Sequence, residues 1–382
     1  MSQQEQQLHT YLRLRLVPRL AHRVKLKLLQ QYGLSSLREL TASQLSAIGL
    51  NYQQRQAFLK PDEQAIEAIL KSVQQHQMTV IGYADKRYPQ QLKHIEGAPL
   101  VLFVQGNDNL LSQQQLAIVG ARNATLSATK HCQQFASTLC QYCVITSGLA
   151  IGIDASAHIG ALEGRGHTIA VVATGLDRVY PARHTALAQR ILANNGAIVS
   201  EALPGSRPHP GAFPKRNRII TGLSDGVFVV EAQLKSGSLI SAHLALEQNR
   251  EVFAMPGAIS NPQTQGCHYL IKQGAQLVDC ADDIIDVLNL KLAPERIISS
   301  CCDDLLPLSK KLSKNDDKDL SNDPLLSTVD YEAVTTVDTI VSRSKLSTEK
   351  VLTRLMTLEL RGLVAAVPGG YIRLSSQQSG SH

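Results

Sequence analysis

A chain of 382 residues with 43% hydrophobic residues exceeds one ordinary domain and buries a sizeable core, which excludes a disordered or peptide-sized protein. A net charge of +6 favours an acidic partner such as nucleic acid modestly over a neutral small molecule. The opening "MSQQEQQLHTYLRLRLVPRL" has no uninterrupted apolar segment and no run of about eighteen apolar residues occurs anywhere, so the expectation is a soluble, unsecreted, cytoplasmic protein with no membrane partner.

Residues 1–77 read as a small helical module of the sterile-alpha-motif or helix-hairpin-helix kind. Apolar residues recur at helical spacing in "VKLKLLQQYGLSSLRELTASQLSAIGL", with Gly33 placed to end one helix and Thr41 or Ser43 to start the next. Residues 1–60 hold nine Lys or Arg (Arg13, Arg15, Arg19, Arg23, Lys25, Lys27, Arg38, Arg55, Lys60) against Glu5 and Glu39, so nearly all the net charge lies here. A basic binding face and a merely solvated one fit this run equally well.

Residues 78–290 change pattern. The short apolar runs "LAIVG", "CVITS", "TIAVVAT", "AIVS", "GVFVVEA", "EVFAMPG" and "AQLVD" alternate with helix-length segments, which predicts an α/β fold: an extended Rossmann-like, doubly wound parallel sheet covered on both faces. Its ligand crevice lies at the carboxyl ends of the strands. There the sequence places Gly120 and Arg122, then Ser147, Gly148 and Gly152, then Gly175, followed by Arg216, Asn217 and Arg218 and finally Lys235, Ser236, Gly237 and Ser238 at a helix start. Glycines allow backbone N–H groups close to an anion, helix N-termini add partial positive charge, and Arg or Lys complete a phosphate cradle. A dinucleotide G-x-G-x-x-G after "LAIV" and a Walker motif are both missing, so neither NAD nor ATP is expected and no cofactor is assigned.

Asp154 and His158 stand at i and i+4 on the helix after the glycine turn and share a face. With no nucleophile in view, they read as a structural pair that fixes the loop rather than a catalytic one. Seven cysteines include one C-x-x-C pair, Cys140 and Cys143, without a second such half-site for zinc, and read as reduced, mostly buried thiols; no metal is expected.

Residues 291–330 are crowded with Ser, Asp and Lys and read as a flexible linker. Residues 331–375 then give a helix, a turn at "SRSKLS", a second helix with Val351, Leu352, Leu355, Met356 and Leu358 apolar, and a two-strand wing turned at Gly369-Gly370. This is a winged-helix pattern. The second helix offers Lys350, Arg354 and Arg361 beside Glu349 and Glu359, a weak basis for reading duplex DNA, and contact with protein or dimer support is the alternative.

The ordered series "IVGARNA", "SGLAIGIDASAHIGAL", "GLDRVYP", "SEALPG", "FPKRNRIITGLSDGVFVVEAQLKSGSLISAHLALEQNREVFAMPG" and "GCHYLIKQGA" resembles the DNA-processing protein A (DprA, or Smf) family across about residues 80–280, and the flanking modules resemble that family's three-part layout. The resemblance implies a non-enzymatic cytoplasmic homodimer that binds and protects incoming single-stranded DNA in natural transformation and recombination. It further implies relief of the block by single-strand-binding protein and loading of RecA recombinase. The cradle then becomes a groove that tracks a single strand. Arg122 matches the arginine of the family's G-S-R turn, with Ala121 in place of the usual Ser. Arg216, Asn217 and Arg218 match F-P-x-R-N-R, and Lys235 stands in the basic position before S-G-S; Ile151 replaces a frequent long polar residue. Single-strand binders stack bases on aromatic rings, and in a chain with no Trp the candidates are Phe213, Tyr180 and Tyr269, of which Phe213 is the expected platform.

Two rivals remain at this level. One is a Rossmann-type nucleotide hydrolase of the lysine-decarboxylase-like (LOG) kind, for which Gly237 and Glu247 are present but the P-G-G-x-G-T-x-x-E arrangement is not. The other is a regulator that binds duplex DNA through the winged helix.

Overall fold

The structure is a computed structural model that describes residues 3–292, 323–331, 333–360, 363–367 and 369–373, in two compact units. The first unit holds both the helical module and the α/β domain. Its nine-stranded sheet runs β1 (Thr79–Gly82), β2 (Val101–Gly106), β6 (Ala197–Ser200), β5 (Thr168–Val172), β4 (Val144–Ser147), β3 (Gln115–Val119), β7 (Gly226–Val229), β8 (Glu251–Ala254) and β9 (Gln276–Leu277). From β6 to β9 every pairing is parallel, as the seven apolar runs predict. The edge departs from that expectation: β2 pairs antiparallel with both β1 and β6.

The strands are apolar on both faces because helices cover both. Along β3, Ala117 and Val119 enter one core while Leu116 and Ile118 enter another, and along β5 Ile169 and Val171 alternate with Ala170 and Val172 in the same way. On one side lie α6 (Gln90–Lys93), α10 (Ala212–Leu223), α11 (Gly237–Glu247) and α12 (Gln265–Lys272); on the other lie α7 (Leu126–Leu139), α8 (Ile153–Glu163), α9 (Thr185–Ala193) and α13 (Asp282–Val287). Strand order reverses between β3 and β7, which opens the crevice at their carboxyl ends.

The module consists of α1 (Gln3–Arg15), α2 (His22–Ser36), α3 (Ala42–Ala47), α4 (Tyr52–Leu59) and α5 (Glu63–Gln75). Thr41 starts α3 through a capping box with Gln44, and Gly33 breaks α2 with φ of 71°. The boundary expected at residue 77 is not a gap in packing. Leu12, Leu28, Leu37 and Phe58 share one continuous core with Phe103, Ala170 and Val172 of the sheet. Cys132, Cys140, Cys143 and Cys267 are buried and Cys280 is exposed, whereas Cys301 and Cys302 lie outside the described residues.

The second unit contains α14 (Val337–Ser344), α15 (Thr348–Leu360) and the antiparallel wing β10 (Val364–Val367) and β11 (Gly370–Arg373), with Val367 opposite Gly370. Its core extends further back than the expected start at 331. Leu325, Leu326 and Val329 pack with Ile340, Val351, Leu355 and Leu358, after Asp323 caps the turn Pro324–Thr328. A short apolar triplet inside a polar stretch was enough to order this end; the expected linker otherwise falls on residues 293–322, outside the described residues. Among the described residues no helix is long and apolar enough to cross a membrane.

Candidate functional site

The crevice between β3 and β7 holds a cavity of about 570 Å³, walled by Gly120 and Arg122 after β3, by Phe213, Arg216 and Asn217 on α10, and by Ser236, Gly237 and Ser238 at the start of α11. Seven of the residues expected at strand ends, and Phe213 with them, therefore meet around one space. The floor is apolar, from Val119 and Ile220, and the rim carries Tyr180. Ser236 caps α11 by accepting the Leu239 N–H at 3.4 Å, so the positive end of an eleven-residue helix faces the crevice.

Arg122 is exposed, and its guanidinium lies 5.6 Å from the centroid of the Phe213 ring, which in turn sits 5.8 Å from the ring of Tyr180 at an angle of 46°. Tyr180 is 44% exposed. A cation, two tilted rings and a helix N-terminus make a surface suited to a planar ring joined to an anion.

Behind this surface lies a buried layer. Arg216 is only 7% exposed, and its Nη1 donates to the carbonyl of Gly148 at 2.7 Å and to that of Val171. A side chain on Gly148 would occupy the space of this guanidinium and of the Asp154 carboxylate, so glycine is required there for contact rather than for flexibility. Gly152 is required for a different reason: its φ is 83°, and a Cβ would strike the Ala121 carbonyl. Burial pushes the Asp154 carboxyl up against the pull of Arg216, and the same burial lowers Arg216 to about 10.

The Asp154–His158 pair separates into two arrangements. The Asp154 carboxylate turns to the Ala150 N–H at 3.4 Å and to Arg216, whereas the His158 ring meets the Thr168 hydroxyl at 2.7 Å. Because α8 is buried on nearly every side, two residues four apart find different partners. Thr168 gives its proton to the Ile145 carbonyl, so His158 Nδ1–H is the donor to Thr168 and the ring is neutral; burial holds it down at about 3.

Six expected positions lie off the cavity wall: Gly148 and Gly152, in the loop behind it, and Ser147, Gly175, Lys235 and Arg218. The Ser147 hydroxyl is buried and donates to the Ile118 carbonyl at 2.6 Å, and the buried Gly175 N–H donates across to the Ser206 carbonyl of the following loop at 3.1 Å. Lys235 borders a neighbouring depression with Leu234, His243 and Tyr269. Arg218 departs furthest: it is paired with Glu201 at 2.5 Å, on the side of α10 that meets the helical module. Pro210, Ile240 and Ser241 line the cavity without having been singled out; the proline-rich "PHPGAFP" leading into α10 is the signal for Pro210, and position near the start of α11 is the signal for Ile240 and Ser241.

Glu247 stands at the last position of α11, about 15 Å along the helix axis from Gly237 and away from the cavity, so it does not serve as a base there. In the winged helix, Arg354 faces Asp323 at 3.8 Å, Arg343 pairs with Asp330 at 3.1 Å and Glu359 accepts the Ala366 N–H, while Leu352 and Met356 are exposed on α15. Arg361 lies outside the described residues. Exposed Asp279 and Cys280 and half-buried Asp283 form a trio, but Asp283 Oδ2 already accepts the N–H groups of Asp279 and Cys280.

Fold and site together define a doubly wound α/β protein with an anion-accepting, aromatic-walled crevice at its topological switch point, joined to a helical module and a winged helix. Residues 79–289 match the family model for DNA recombination-mediator protein A, residues 4–71 match the SMF/DprA SAM domain, and residues 311–370 match the DprA winged helix domain. The chain belongs to the DNA recombination-mediator protein A family, whose members are also called DprA or Smf. It is 43% identical to Protein Smf of Escherichia coli K12 over 86% of each chain, and 44% identical to DNA processing protein DprA of Streptococcus pneumoniae over 53% of this chain and 71% of that one. The crystal structure of the Streptococcus pneumoniae protein superposes with a TM-score of 0.65 at 34% identity, covering 72% of this chain and 97% of the other. The structure of DNA processing protein A from Helicobacter pylori, reported for its unique single-stranded DNA binding mode, superposes at 0.51 with 31% identity, covering 56% of this chain and 96% of that one.

Proposed function

We propose that this protein binds single-stranded DNA in the β3–β7 crevice, without catalysing a reaction, and acts as a cytoplasmic homodimer that protects the strand and loads RecA recombinase onto it in place of single-strand-binding protein. The observation that carries the DNA reading is the cluster of exposed Arg122, half-buried Phe213 and exposed Tyr180 beside the α11 N-terminus: bases lie on the rings while phosphates meet Arg122, Asn217, the Gly120 loop and Ser236 to Ser238, with Lys235 extending the track. The names of the relatives support the step to recombination. Arg216, Gly148, Ser147 and Gly175 act behind the surface by fixing the loops, and Asp154 neutralises Arg216.

The test is anisotropy of the full chain on labelled oligo-dT and on the matching duplex across a salt series. Preference for the single strand, with affinity falling as salt rises, is expected. Tighter duplex binding would transfer the function to the winged helix.

A further inference from the structure

Two arginines of "FPKRNR" stand two positions apart on α10, hence about 200° apart around the helix. Arg216 faces the crevice. Arg218 faces the opposite way, and its Nη2 meets Glu201 Oε2 at 2.5 Å. Glu201 follows directly on β6 and holds a second arginine: Arg15, the last residue of α1, reaches Glu201 Oε1 at 3.3 Å and the Glu201 carbonyl at 3.2 Å. These side chains are 18%, 17% and 26% exposed for Arg218, Glu201 and Arg15, and Arg218 Nη1 has no solvent-facing surface through which a phosphate would reach it.

The line continues into the module. The buried Lys25 of α2 donates from Nζ to the carbonyls of Arg15 at 2.6 Å and Val17 at 3.2 Å, which fixes the end of α1. Beside it, His22 hydrogen-bonds the Ala98 carbonyl at 2.7 Å.

We propose that Arg15, Glu201 and Arg218 form a brace through which the helical module sets the position of α10, so that the module governs strand binding by placing Phe213 and Asn217 rather than by touching DNA. Arg218 is thereby a positioning residue and not a phosphate ligand. The physical basis is preorganisation: a helix held from behind loses little freedom when its front face engages a ligand, and a released helix must be ordered at the moment of binding. One carboxylate shared by two guanidinium groups also explains why basic residues lie at this junction without forming an open positive face.

This inference rests on the single-strand reading, and the experiment separates the two. Full-length protein is titrated on oligo-dT over a salt series as wild type, R15Q, E201Q, R218A, R218K and the R218A/E201Q pair. R15Q and R218A are each expected to weaken binding about threefold to tenfold with the salt slope unchanged, R218K to recover part of the loss, and the double variant to bind no worse than the weaker single one. R15Q is the decisive variant, because Arg15 belongs to the module, and it carries the test if R218A does not fold. A slope shallower by about 0.7 in R218A would make Arg218 a phosphate ligand and overturn the brace. Wild-type affinity in R15Q would overturn it as well. Absence of oligo-dT binding by the wild type would overturn the single-strand reading itself, and the brace with it.

Discussion

The helical module and the crevice are both basic in sequence, yet they use their charge in opposite ways. In the module, Arg13 reaches the Phe58 carbonyl and lies 4.4 Å over its ring, Arg15 holds Glu201, Lys25 is buried against two carbonyls, Arg38 meets the Thr10 hydroxyl and Arg55 donates to the Leu50 carbonyl at 2.8 Å. At the crevice Arg122 is exposed, as are Lys215 on α10 and Lys235 in the neighbouring depression, and the deeply buried Arg216 sits behind the surface. Net charge per segment therefore points away from the proposed binding face. What supports the crevice is which donors the fold leaves uncommitted, together with rings and a helix N-terminus that converge on them.

The sharpest break of this contrast is the pair Phe213→Ala and Arg122→Ala. Loss of a stacking ring is worth about 1–3 kcal/mol per base, so oligo-dT affinity is expected to fall by at least about tenfold, and removal of the arginine is expected to reduce the salt slope by about 0.7. Full affinity in that variant, measured by anisotropy, would place the DNA elsewhere.

The two regions also differ in how their stability titrates. His158 is neutral when folded at about 3 and ordinarily titrates near 6.5, so between those values the unfolded chain binds more protons and stability falls as pH falls, by up to about 1.4 kcal/mol per pH unit. Asp154, raised by burial, has the opposite sign: its folded form keeps a proton above the usual carboxylate range, and that contribution is lost as pH rises. In the module, Lys25 is lowered to about 8 by burial, so its share of stability rises with pH between about 8 and the ordinary lysine value. Urea unfolding of His158→Asn is expected to lose acid sensitivity while keeping the alkaline rise, and Lys25→Met to do the reverse.

Much of the crevice was legible because glycine loops, strand ends and a helix cap are local features. Arg122, Phe213 and the Ser236 to Ser238 turn sit where strand-end reasoning puts them. The parallel strands were readable as apolar runs. The antiparallel β1–β2 edge was not, although "VLFVQG" carries the same apolar signature, because pairing direction is set by the connection and by the module packed on it. The partners of Arg218 and His158 are illegible for another reason. Spacing along a helix says which residues share a face but not what lies opposite, and Glu201, just after β6, and Thr168, on β5, are brought there by other elements of the fold.

The smallest expected effect is the most informative about the module. Arg19, Arg23, Lys27 and Lys60 are exposed cations of the module, beside Lys71 and the Thr10-bound Arg38, and changing these four to Gln lowers the formal net charge from +6 to +2 without touching a hydrogen bond that holds the fold. If the module acts only through position, these charges influence DNA through the general field, which is screened over about 8–10 Å at ordinary ionic strength. Oligo-dT affinity at 0.15 M salt is then expected to stay within about twofold of wild type, with any difference widening as salt is lowered. Long strands are the stringent substrate, because only they reach past the crevice. A variant that binds short oligo-dT normally but loses long strands about tenfold, with the slope reduced by about 0.7 for each lost contact, would make the module a second DNA face and remove the contrast between the two regions.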